Sequence, residues 1–141
     1  MTSYRTTTLA KGLAFPEGPR WHEGRLWFTD QHARRIYALS PNGALETVAE
    51  TTDLPGGLGW LPDGRLLVVY MTERRIMQRV DGRLSTYADL SGLASFHCND
   101  MVVDRAGCIY AGNFGFDLHG GTALSKAELI QVTPDGDSRV V

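Results

Sequence analysis

Apolar residues along the chain fall in short runs bounded by glycine, proline, asparagine or aspartate. Examples are "RLWF" from Arg25, "RIYAL" from Arg35, "RLLVVY" from Arg65, "RIMQRV" from Arg75 and "ELIQV" from Glu128. No spacing of apolar positions at helical period extends past one turn, and no proline interrupts a run, so the pattern predicts short strands and almost no helix. The runs also recur in order. "EGPRWHEGRLWFTD" from Glu17, "GGLGWLPDGRLLVVY" from Gly56 and "NDMVVDRAGCIYAGN" from Asn99 each end a short segment in Trp21, Trp60 or Val103, turn at a glycine and continue as an apolar strand. The turn glycines, Gly24, Gly64 and Gly107, stand 40 and 43 residues apart, and the first turn is one residue shorter than the other two.

The second half of each unit repeats as well. "ARRIYALSPNGALETVAE" and "ERRIMQRVDGRLSTYADL" share two arginines, an Ile-led strand and an Asn-Gly or Asp-Gly turn, and such dipeptides between alternating runs signal hairpins. The third copy carries an added loop, "NFGFDLHGGTALSK", before "AELIQVTPDGDSRVV" restores the pattern. Each unit of about forty residues therefore predicts four antiparallel strands, the signature of a β-propeller blade. The fold class is all-β, as one partial propeller domain: a leader strand over 4–13, blade 1 over 14–50, blade 2 over 54–90 and blade 3 over 96–141. A β-sandwich is the competing fold, and three in-register repeats of this length suit it poorly. The leader is expected to supply the outer strand of a ring's last blade. Since propellers have about four to eight blades, the chain is expected to be an incomplete copy of a longer protein or to assemble a ring from several chains.

The alignment places Glu17, Gly56 and Asn99 at one position, the entry to the innermost strand of successive blades. Innermost strands surround a propeller's channel, so these positions should converge on its mouth. A carboxylate stiffened between Pro16 and Pro19, with an amide oxygen nearby, offers ligands to a hard cation. Gly56 would leave room for a bound ligand. The bland readings are a Glu17 carboxylate capped by its own turn and an Asx turn at Asn99. Asp100 reads as a turn residue or a partner of the site. His22, His32, His97 and His119 are dispersed, and His97 can face the mouth, two residues before Asn99.

Composition narrows the classes. The 141 residues carry a net charge of −2 and 43% hydrophobic residues, with no Lys/Arg cluster to follow a phosphate track, so nucleic-acid binding is not expected. No run approaches membrane-spanning length and no secretory signal opens the chain, which makes the cytoplasm the expected location and leaves no membrane partner. Cys98 and Cys108 form no CxxC pair and read as free thiols. Cys98 lies on the opposite strand face from Asn99. The loops of serine hydrolases, P-loops and dinucleotide-binding folds are absent, as is a HExxH zinc pair.

The motifs "FPEGPRWHEGRLWFTD", "NDMVVDRAGCIYAGN" and "GNFGFDLHGG" resemble the SMP-30/gluconolactonase/luciferin-regenerating-enzyme family of six-bladed propellers, over about Ala10 to Val141 and matching a member's N-terminal half. The resemblance implies a divalent-metal site at the channel mouth, with Ca2+ first and Mg2+, Mn2+ or Zn2+ as the other candidates, and hydrolysis of lactones. It implies metal ligation by Glu17 and contact of Asn99 with metal or substrate. His97 stands where some members carry a substrate-binding arginine, which leaves the substrate open. Asp117 and His119 fall in a loop that members use to cover the substrate. The remaining ligands and the general base are expected beyond Val141, so no catalytic base is assigned within this chain and the chain alone is expected to be weakly active or inactive.

Two functions compete. One is a metal-dependent lactone hydrolase acting on a small lactone. The other is a non-catalytic propeller module that binds a protein or small ligand, which a mouth lined by aromatics or arginine would favour. The expected partner is the missing C-terminal half, ranked ahead of a second copy closing a homodimeric ring.

Overall fold

The computed structural model describes residues 4–117 and 119–141. Among these residues there are twelve strands in three antiparallel sheets, and no helix is long and apolar enough to cross a membrane. The first sheet contains β1 (Pro16–His22), β2 (Arg25–Asp30), β3 (Arg35–Leu39) and β4 (Leu45–Glu50). The second contains β5 (Pro55–Trp60), β6 (Leu66–Tyr70), β7 (Arg75–Val80) and β8 (Arg83–Asp89). The third contains β9 (Cys98–Val103), β10 (Ile109–Asn113), β11 (Leu129–Val132) and β12 (Ser138–Val140). Every sheet is a meander in sequence order. That is the blade of a propeller, without the crossings of a Greek-key sandwich.

The turns explain the regularity. Ser40–Ala44, Leu61–Arg65, Asp104–Cys108 and Thr133–Asp137 close identically: the first N–H donates to the last carbonyl, and the glycine N–H donates to the first carbonyl. Gly43, Gly64, Gly107 and Gly136 hold φ of 86, 87, 86 and 92°, a left-handed position that follows a type I turn in three-residue hairpins. The first inner hairpin uses Glu23–Gly24 instead, with φ of 47 and 73°. Two left-handed residues make the tighter primed turn, which accounts for the missing residue in the first repeat. The repeated arginines also share a task. Arg34 and Arg74 turn left-handed at φ 53 and 54°, and their guanidinium groups donate to the carbonyls of Thr52 and Ala94 in the segments that leave each blade.

Alternation along the strands gives each blade two apolar faces. Trp27, Ile36 and Ala38 of the first sheet meet Leu58, Leu66, Val68, Tyr70 and Met77 of the second. On its other face the second sheet packs Leu67, Val69 and Ile76 against Cys98, Met101, Ile109, Ala111, Ile130 and Val132 of the third. The inner strands approach backbone to backbone. A Cβ on Gly57 would collide with the Asp100 carboxylate and the Met101 amide, and one on Gly59 with the Val103 side chain. Arg20 of β1 spans this junction, with its Nη2 2.6 Å from Asp100 Oδ1 and 3.0 Å from the Met101 carbonyl.

Residues 4–13 form no strand. Each described sheet already has four strands of its own, and none takes the segment at its edge. Ala10 and Leu13 instead rest on the outer face of the first sheet, over Phe28, Tyr37 and Leu39. The far face of the third sheet carries Val102 and Leu129 at 58% and 48% exposure. Apolar side chains of this size are expected to lie under a neighbouring blade.

Candidate functional site

The three inner strands share one more irregularity. Pairing slips between Glu17 and Arg20 on β1, between Pro55 and Leu58 on β5, and between Ala111 and Asn113 opposite the start of β9. A bulge kinks a strand and redirects its side chains. Here three bulges lie at one end of the inner strands. In β1 the bulge is the Glu-Gly-Pro segment, where Gly18 turns left-handed at φ 57° and the prolines withhold N–H donors that could cap Glu17. The bland reading of Glu17 thus fails: its carboxylate accepts no hydrogen bond and makes no ion pair among the described residues, and it is half-buried.

That end of the strands encloses a cavity of about 480 Å³, into which Glu17, His97, Asn99 and His119 face together with Gln31 and His32. Its walls are aromatic. Phe15 stacks on His32 with ring centres 5.1 Å apart, and Phe96 stacks on His97 at 3.9 Å. Phe15 is held in place by Asp30, whose buried carboxylate accepts from the N–H groups of Ala14 (2.7 Å), Phe15 (2.8 Å) and Ala33 (3.2 Å). Burial is the largest influence on Asp30 and pushes its pKa up, but those backbone donors outweigh it and hold the carboxyl below its ordinary value. His97 is tied to the added loop, its carbonyl accepting from Phe114 N–H at 3.0 Å.

Two expectations need correction. Asp117 does not line this cavity. Its carboxylate accepts from the N–H groups of His119 (3.1 Å) and Gly120 (2.7 Å), an Asx-type turn within its own loop. Gly56 does not leave room for a ligand: a Cβ there would strike the Asn99 carbonyl, and the Gly56 carbonyl accepts from the Thr29 hydroxyl at 3.0 Å. The missing side chain lets β5 and β9 touch. Asp100 is engaged by Arg20, as a neighbour of the site. Asn99 makes no Asx turn among the described residues; the adjacent Asp100 carboxylate accepts from the Met101 N–H at 2.8 Å.

Sequence reasoning missed His32, Gln31, Phe15, Phe96 and Phe114 as wall residues, and also Glu128. The Glu128 carboxylate accepts from Ser95 N–H (3.0 Å), Ser95 Oγ (2.8 Å) and Asn113 Nδ2 (2.7 Å), which fastens the added loop to its blade. The Ser95 amide, then Asn113, hold its carboxyl below the usual range. His32 stands where the second blade has Thr72, each four residues before an isoleucine, and Thr72 serves the Asp53 carboxylate and not the cavity, so the alignment carried no signal for His32. Cys98 is fully buried and burial pushes its thiol up to about 11, which makes it inert as a nucleophile.

A cation placed here would find the free Glu17 carboxylate and the Asn99 amide oxygen. No group of three His, Cys, Asp or Glu able to hold a metal occurs among the described residues. Calcium takes about six to eight oxygens, so these two side chains fit part of a ligand set.

Comparison with known proteins joins this geometry to a family. The family described as SMP-30/Gluconolactonase/LRE-like region matches residues 15–141. The pentonolactonase XacC of Haloferax volcanii is 30% identical over 107 residues, covering 74% of this chain and 36% of that protein. A gluconolactonase structure from Xanthomonas campestris superposes with a TM-score of 0.80 at 22% identity, covering 95% of this chain and 49% of its own. The calcium-binding protein regucalcin of Agrobacterium tumefaciens superposes at 0.73 and 19% identity, covering 94% and 44%. The chain thus spans half or less of the length of these relatives.

Proposed function

The chain belongs to the SMP-30/Gluconolactonase/LRE-like family, and on that premise we propose that it supplies the N-terminal blades of a divalent-metal-dependent lactone hydrolase. One observation carries this reading: the unpartnered Glu17 carboxylate and the Asn99 amide face one cavity, each aimed there by a bulged inner strand. A bound cation, Ca2+ by preference, would supply Lewis acidity at the lactone carbonyl. Glu17 and Asn99 hold two of its positions, and Asn99 and His97 also orient the sugar ring. His119 borders the opening, and the aromatic walls exclude water. The proton acceptor comes from blades outside this chain, so activity of the chain by itself is weak.

The test is a calcium titration by calorimetry, run on the chain and on the complete ring formed with the remaining blades. Glu17→Gln is expected to weaken binding at least about tenfold, as removal of a carboxylate from an oxygen ligand set does. Lactone hydrolysis by the ring should fall in parallel. Calcium binding indifferent to Glu17→Gln would sink the metal site.

The aromatic walls favour a second reading, a non-catalytic module that stacks a small ligand between Phe15–His32 and Phe96–His97. Lactone turnover by the complete ring separates the two: a ring that binds small ligands and turns over no lactone supports the module.

A further inference from the structure

At the opposite ends of β1 and β5, away from Glu17, a second cavity of about 320 Å³ opens between the first and second sheets. Its lining combines aromatic side chains with charged ones. Trp60 stacks on His22 with ring centres 3.9 Å apart and meets Trp27 edge-on at 5.4 Å, while Val48 and Leu66 complete the apolar lining. The arginines around it are in different states. Arg25 lies 4.8 Å over the Trp27 ring and is neutralised by Glu46 at 2.6 Å. Arg65 is committed to Asp63 at 2.7 Å and to Gln78 at 2.5 Å.

Arg79 has no such partner among the described residues. Strand alternation puts it on the same face of β7 as Met77, which packs into the core between the two sheets. Its Nε is completely buried and has no hydrogen-bond partner, and its guanidinium joins no ion pair among the described residues. The buried Nε is closed to solvent, so the terminal nitrogens of Arg79 are the donors this lining residue can offer to the cavity. The guanidinium fork matches a carboxylate through two parallel N–H···O bonds.

We propose that this cavity binds a small monocarboxylate with a flat apolar body, its carboxylate on Arg79 and its body against Trp60 and Trp27. Among the described residues Arg79 is the cation of the lining that has no carboxylate partner, and the exposed Glu23 carboxylate at the rim repels a phosphate dianion more strongly than a monoanion. The volume lies at the lower end of the range of about 300–1,000 Å³ for small-molecule pockets. The site sits wholly between the first two sheets and is independent of the Glu17 cavity.

Benzoate is the probe, titrated into the complete ring formed with the remaining blades and followed by calorimetry, with tryptophan fluorescence as the second measure, since Trp27 and Trp60 form the wall. Saturable binding is expected, weakened at least about tenfold by Arg79→Gln. Arg79→Lys should weaken it comparably, because lysine keeps the charge and loses the fork. Inorganic phosphate at equal ionic strength should not compete, and Glu17→Gln should leave benzoate binding unchanged. Should Arg79→Gln fail to fold, Trp60→Leu replaces it and is expected to weaken benzoate severalfold while Arg79 stays in place. No saturable binding, affinity unchanged in the Arg79 or Trp60 variants, or phosphate bound more tightly than benzoate would each overturn the proposal.

Discussion

Asp30 shows how one side chain prepares the cavity without entering it. Its carboxylate gathers the N–H groups of Ala14, Phe15 and Ala33 and so fixes the segment that delivers Phe15 and, two residues later, Glu17. Because these bonds hold its folded pKa below the ordinary value, the stability it contributes is complete above the unfolded value of about 3.9 and drains as pH falls through the lowered one. Asp30→Asn is therefore expected to cost about 1–3 kcal/mol at pH 7, where buried N–H groups lose an ionised acceptor. The gap to the parent should narrow below about pH 4, where the parent also becomes protonated. Urea melts of the complete ring at pH 7 and pH 3 measure both numbers. An unchanged gap would mean that the carboxylate charge contributes nothing.

The decisive element is the inner strand. β1, β5 and β9 must lie close enough to surround a channel, and residues without side chains at the contacts allow it. Gly57→Ala would drive a Cβ into Asp100 and the Met101 backbone, disturbing the Arg20–Asp100 pair as well. Overpacking of this kind costs about 1–3 kcal/mol. Gly112→Ala on β10 is the internal control. An added Cβ there meets nothing within 4 Å, and the change should stay within about 0.5 kcal/mol. Denaturation midpoints of the two variants should separate clearly. Equal midpoints would show that the inner strands do not pack as described.

For the whole molecule, the two outer blade faces set the behaviour. The first sheet is partly covered by residues 9–13, whereas Val102, Tyr110 and Leu129 of the third present an apolar surface. Buried apolar surface is worth about 25 cal/mol per Å², and domain stability is only about 5–15 kcal/mol. A few uncovered faces therefore matter. The isolated chain is expected to self-associate or to melt without a sharp transition, and blades that cover the third sheet should suppress both. Sedimentation and thermal melts read this out. A monomer with one sharp cooperative transition would contradict it.

The sequence alone carried the blade pattern, because hairpins are local: a glycine four residues into "SPNGA" or "LPDGR" demands a left-handed residue whatever surrounds it. The same locality placed Glu17 and Asn99 at equivalent strand entries, and the Pro-Glu-Gly-Pro segment already implied a carboxylate without a cap. Other facts came only with the tertiary structure. Asp117 spends its carboxylate on its own loop, Gly56 is a contact between strands and not space for a ligand, and His32 reaches the same cavity as His97 and His119. Arg25, Arg65 and Arg79 look alike in the chain, yet among the described residues two are paired and one is not. The physical reason is common to all of these. A turn is determined by the φ and ψ of adjacent residues, whereas the packing of sheet on sheet brings together residues far apart in the chain and thereby decides which polar groups find partners.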